Sequence, residues 1–240
     1  MSRFDSSLPL RGLLSGQDRK PALILLWVPL VLTTWRYFGG KPFYLKRLSS
    51  HLVLYADLSR SAELYAFLSS FIALGLVSLA IAKFVLREPV ASFGIAIGDW
   101  RFGLKALAVM APVLVALGAV AARSPQFLAE YPLDKGACAS ASVFLAHAAA
   151  YLAYYVGFEI FFRGLVQFGL RERFGDWNAV LVQTALSCLV HIGKPGGEIY
   201  GAIVGGLVFG ALAFRSRSVI YIILAHFLLG ISLDLFICLG

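Results

Sequence analysis

The sequence predicts an all-α membrane protein, a polytopic bundle of about seven transmembrane helices with six to eight as bounds. Two observations carry this. Of the 240 residues 60% are hydrophobic and only 14% charged, against roughly 45–50% and about 25% in soluble domains, and mean hydropathy is +0.81. The apolar residues are gathered into long runs bounded by Lys or Arg, which reads as one helical bundle and not as separate globular domains.

The runs follow in order. The first is Pro21 to Trp35, between Lys20 and Arg36; the second spans about Ala62 to Ala82, and the third Ala106 to Ala122. A fourth goes from about Ala139 to Phe162, a fifth from Trp177 to Ile192, a sixth from Ile199 to Phe214, and a seventh from Val219 to the end. The connection HIGKPGGE, 191 to 198, is short enough to make the fifth and sixth an antiparallel hairpin. Gly201, Gly205, Gly206 and Gly210 give the sixth two small-xxx-small spacings, which suit close helix packing in lipid.

Alternate connections carry Lys and Arg unequally, thirteen on the side of the N-terminus and eight on the other. That places the N-terminus in the cytoplasm and, with seven spans, the C-terminus outside. The first connection, 42 to 60, mixes Lys46, Arg47 and Arg60 with apolar residues and suits a helix lying at the interface. The net charge of +8 is accounted for by basic loops facing lipid headgroups. It is spread over loops, so no nucleic-acid partner is expected. Some twenty mostly polar residues precede the first run without an A-x-A site, which reads as a retained anchor and not a cleaved signal. Cys138, Cys188 and Cys238 lie in or beside apolar spans; their spacing suggests neither a disulfide framework nor a zinc finger, and they read as small buried hydrophobes.

Chemistry concentrates in the last hundred residues. A charged group at mid-bilayer costs about 2.5–3.5 kcal/mol on insertion scales, so such groups usually face the bundle interior. Here they are His147, Glu159, Arg163, His191, Glu198, His226 and Asp234. On the fourth span His147, Tyr151, Tyr155, Glu159 and Arg163 stand four residues apart, along one side of a helix. Glu159 and Arg163 form an i,i+4 pair with the acid first, the better order; alone, this is a self-satisfied ion pair. A single histidine on an apolar helix is more often a satisfied core residue than a catalyst. Two of them, with an acid and an arginine on three helices, point to an assembled site.

These residues resemble the CPBP intramembrane proteases, the CAAX-protease and bacteriocin-processing (Abi) family, whose signature is E-E-x-x-x-R, then F-x-x-x-H, then H-x-x-x-N. The matching words are FEIFFRG at 158–164, SCLVH at 187–191 and HFLLG at 226–230. The resemblance implies a four-helix catalytic-type core over 139–240, with 1–138 supplying the N-terminal tail, three spans and the basic loop. It maps Glu159, Arg163, His191 and His226 onto site positions. The first Glu, which in the family resembles the base for the attacking water, falls on Phe158. The Asn that resembles the oxyanion donor falls on Gly230, and the Phe of the second motif is Ser187.

Phe158 supplies no proton acceptor, so an active enzyme needs another carboxylate. Glu198 and Asp234 are the substitute candidates beside Glu159, which has Arg163 as its own partner. Two readings follow. One is an intramembrane endopeptidase of glutamic or metallo type, acting on a membrane-anchored, prenylated or C-terminal-signal peptide. The other is a catalytically inactive CPBP-fold subunit that binds a partner's transmembrane helix. The enzyme reading requires a carboxylate within about 5 Å of the histidines, directly or through one water. No cofactor is expected. A zinc set of His191, His226 and Glu198 is the weaker alternative, since no H-E-x-x-H motif supports it. A serine hydrolase lacks G-x-S-x-G, Cys188 has only His191 nearby to activate it, and a transporter reading lacks an inverted repeat. The expected setting is the lipid bilayer, as an integral protein of a bacterial inner membrane.

Overall fold

The computed structural model describes residues 16–240, so residues 1–15 of the polar tail read as part of a retained anchor lie outside the described residues. Among the described residues there is no strand. Seven helices among the described residues carry the fold: α1 Arg19–Phe38, α2 Leu58–Val85, α3 Trp100–Ala121, α4 Ala141–Phe174, α5 Asp176–Leu189, α6 Gly196–Ser216 and α7 Ile220–Leu239. Six are long and apolar enough to cross a membrane. The 14 residues of α5 reach only about 21 Å, which is why it falls short of a full span by length. Outward faces are apolar: on α3, Val109 and Val120 are 73% and 69% exposed, which suits hydrocarbon contact and not water.

Helix directions follow from contacts. The end of the bundle where α1 starts is called here the N-face, and the end where α7 finishes the C-face. On α5 and α6, Gln183 Nε2 donates to the Gly206 carbonyl at 2.8 Å while Cys188 lies against Ile199, so the two run antiparallel, as the short connection predicts. The α3 and α7 helices run parallel: Gly103 lies under the Tyr221 ring and Gly118 against Ser232. Central α4 is antiparallel to α7, and its Gly157 touches α2 so closely that an added Cβ would lie 2.7 Å from the Phe71 Cα. Around it Ile24, Val28, Leu74, Phe93, Phe158, Phe161, Phe162, Leu165 and Ile222 form the core.

Several sequence expectations are revised. The fourth span does not stop at Phe162: a π-helical stretch, Ile160–Phe168, carries it on to Phe174, where Gly175 at φ 76° ends it. Arg163 is therefore inside a helix, and the Lys and Arg count on the N-face side falls to twelve. The cysteine reading is corrected too. Cys138 and Cys238 form a disulfide, with Cα atoms 5.1 Å apart across 100 residues of sequence, and only Cys188 is free. Antiparallel α4 and α7 create this proximity, and spacing in the chain carries no trace of it. Of the sixth span's glycines, Gly206 packs on Thr184 and Gly210 on Gln167 and Gln183, whereas Gly201 and Gly205 face open space. In the first connection the helix is short, Lys41–Phe43 continuing as Tyr44–Leu48.

Since backbone atoms, not a flexible side chain, would meet a methyl at Gly157, Gly157→Ala is expected to lower stability by about 1–3 kcal/mol. Gly205→Ala, with open space around it, is expected to stay within about 0.5 kcal/mol of the native chain. Thermal unfolding of the two variants in detergent checks the contrast.

Candidate active site

Between the C-face ends of the helices lies a cavity of about 260 Å³, lined by the end of α1, the start of α2, the segment Glu130–Leu133, mid-α4, the α5–α6 connection and His226 of α7. Both sequence-predicted histidines reach it, as does Glu198.

The five-residue stripe on α4 turns wholly inward: His147, Tyr151, Tyr155, Glu159 and Arg163 are all buried. Glu159 stands where the α-helical part of α4 gives way to the π turn, a local widening frequent at functional sites. Its Oε1 accepts from Arg163 Nη1 at 3.1 Å and from His226 Nδ1 at 2.6 Å. With the Glu159 oxygen as acceptor, Nδ1 of His226 carries the hydrogen, and Nε2 is the ring's remaining polar atom. A carboxylate behind an imidazole fixes both its tautomer and its orientation. The guanidinium is further flanked by the Phe158 and Phe209 rings, 5.8 and 6.0 Å away.

The second histidine is built from the α5–α6 hairpin. His191 Nδ1 donates to the Ser187 carbonyl one turn back at 2.6 Å. A carbonyl only accepts, so the hydrogen sits on Nδ1 and Nε2 is free to accept. Facing Nε2 at 3.9 Å is Glu198 Oε1, too far for a direct hydrogen bond and close enough for both atoms to hold one water. Glu198 lies in the first turn of α6, where the helix dipole favours a negative charge. Its other oxygen, Oε2, accepts from the Tyr131 hydroxyl at 2.8 Å. Burial, reinforced by the Glu198 charge, pushes the Tyr131 phenol well above its ordinary range, so it stays a donor. The carboxylate required near the histidines is thus present on both: Glu198 beside His191 and Glu159 beside His226.

Phe158, where the resemblance places the base, is buried with its ring edge-on to both imidazoles, centroids 5.9 Å from His191 and 5.5 Å from His226. It separates the histidines and holds their planes. At Gly230, where an Asn would stand, the Tyr155 hydroxyl takes the space, and an added Cβ would collide with it. That ring lies 4.5 Å from His226 by centroids, and its hydroxyl donates to Tyr151 at 2.9 Å. Asp234 is not brought to the cavity; fully buried, it pairs with His147 Nε2 at 2.8 Å. His191, His226 and Glu198 do not converge as metal ligands, and among the described residues no three His, Cys, Asp or Glu do.

Two features escaped the sequence reading. Tyr131 and the mouth pairs Lys41–Glu63 at 2.5 Å and Lys194–Glu130 at 2.6 Å draw all but Lys194 from residues ahead of α4, and no motif marks them. At Glu130 burial raises the carboxyl, but the Lys194 ammonium outweighs it and holds the group below the usual range. Tyr155 was visible as part of the stripe, though not as the neighbour of Gly230.

Residues 140–231 match the family model described as Type II CAAX prenyl endopeptidase Rce1-like. The C-terminal part of this membrane protein is thereby similar to CAAX proteases, the family that its sequence resembles. No curated protein and no solved structure matches the chain.

Glu159→Gln would leave Arg163, 3% exposed, as an uncompensated buried charge, at an expected stability loss of about 3–5 kcal/mol. Glu159→Gln combined with Arg163→Met removes that charge and is expected to recover most of the loss, measured by thermal unfolding in detergent.

Proposed function

We propose that this chain, with a C-terminal core similar to the Rce1-like endopeptidases, hydrolyses a peptide bond of a membrane-anchored substrate, and that Glu198 serves as the base which Phe158 cannot be. The observation that carries this reading is the 3.9 Å gap between Glu198 Oε1 and His191 Nε2 at the cavity wall. Both atoms accept hydrogen bonds, so a water between them donates its two hydrogens and turns a lone pair toward a carbonyl carbon in the cavity. As the water oxygen bonds to that carbon, Glu198 takes the proton. The carbonyl oxygen becomes an oxyanion, to which the Tyr155 hydroxyl donates, turning its one hydrogen away from Tyr151, in place of the Asn expected at Gly230. Collapse of the intermediate breaks the C–N bond. The leaving amine receives the proton from Glu198, and His226, backed by Glu159 and Arg163, orients it. Base, imidazoles and donors are all side chains, so the step needs no cofactor.

The chemistry is assigned to 139–240, while 1–138 contributes Tyr131 and, at the mouth, Lys41, Glu63 and Glu130. The reading takes a bacterial inner membrane as its setting, and an N-terminus in the cytoplasm is supported by the excess of Lys and Arg on the N-face side. The rival reading, an inactive CPBP-fold subunit holding a partner helix, is favoured by one observation: Phe158 fills the position of the family base between the two histidines.

Cleavage of a fluorogenic peptide by the purified chain in proteoliposomes separates the two. Glu198→Gln is expected to lower kcat by about 10²–10⁴-fold, whereas Glu172→Gln, exposed at the far end of α4, leaves it unchanged. A native chain without activity, with cleavage appearing in Phe158→Glu, establishes the inactive-subunit reading instead.

A further inference from the structure

Seven helices fix which connections share a face. The cavity is walled by residues of the α1–α2, α3–α4 and α5–α6 connections, among them Lys41, Tyr131 and His191, and all three connections lie on the C-face. Cys138, just before α4, and Cys238, at the end of α7, lie on that same face and are bonded to each other. Disulfides form and persist in oxidising compartments and are rare in the reducing cytosol. The charge asymmetry points the same way from independent residues. Among the described residues ten Lys and Arg flank the helices on the N-face and eight on the C-face, and the positive excess marks the cytoplasmic side.

From these observations we infer that the cavity opens away from the cytoplasm, and that its substrate is an unprenylated peptide segment of an exported or membrane-spanning protein presented on the oxidising face. The lining agrees. Glu198, Tyr131, Lys194, Glu130 and Glu63 at the mouth offer donors and acceptors to a peptide backbone, and Trp35, Phe67, Leu133 and Val190 of the same lining take its apolar side chains. The substrate class rests on the endopeptidase reading above; the face of the cavity does not.

Two measurements on the full chain keep these apart. In intact bacterial cells, with Cys188→Ser as background, a membrane-impermeant maleimide is expected to label Arg123→Cys on the C-face. Glu172→Cys, on the N-face, is expected to label only after permeabilisation, and a non-reducing gel to show the native Cys138–Cys238 bond. The opposite labelling pattern overturns the inference. In proteoliposomes the probes are a single-span reporter carrying a flexible segment on the C-face side and a farnesylated CAAX peptide. The reporter is expected to be cleaved roughly 100-fold faster. Faster cleavage of the farnesylated peptide overturns the substrate class. If neither is cut while labelling is as expected, the endopeptidase reading and the substrate class fall together and the face of the cavity stands.

Discussion

The antiparallel register of α4 on α7 is the constraint on which the rest depends. Four cross-links run in order along this pair: the Cys138–Cys238 bond, the His147–Asp234 pair, the Tyr155 hydroxyl against Gly230 and the Glu159–His226 hydrogen bond. Each needs the others' alignment, because a slip of one helical turn, about 5.4 Å, would part all four at once. In lipid, where apolar side chains gain little by leaving one helix for another, such polar and covalent ties decide the register. Function inherits it. The imidazole of His226 points into the cavity because Glu159 holds its other side.

Ionisable groups within the bundle are tolerated because they are matched. Glu159 has Arg163 and His226, and Asp234 has His147. At the mouth Lys41 has Glu63 and Lys194 has Glu130. Such pairs add little net stability against apolar replacements, but breaking one leaves an isolated charge in a poor solvent. Their consequence is a set of fixed polar groups in and beside a cavity of an otherwise apolar protein. Glu198 differs in that its oxygen toward His191 is left without a direct partner at 3.9 Å, and that gap is where the proposed chemistry resides.

In the proposed mechanism the departures from the motif are answered elsewhere in the fold. Phe158 removes an acid from α4, and Glu198 brings one from the first turn of α6, held by Tyr131. Gly230 removes a polar side chain from α7, and the Tyr155 hydroxyl enters the space from α4. Both replacements cross from one helix to another. Motif comparison reads along a single helix at a time, so neither is visible to it.

Hydropathy by itself determined the all-α membrane class and the approximate helices, because lipid demands long apolar helices with internal hydrogen bonds. The period of four on α4 also determined that His147 to Arg163 share one buried side, since helical geometry is local. Of the site, Glu159, Arg163, His191, His226 and Glu198 were legible as ionisable residues in apolar runs. Only the tertiary structure decided that Glu198 faces His191, that Asp234 pairs with His147 and that Cys138 meets Cys238 across 100 residues. The physical reason is common to all three. Each depends on the axial register and rotation of neighbouring helices, set by packing contacts such as Gly157 on Phe71 and Gly118 on Ser232, and spacing along one chain contains no record of how its helices align.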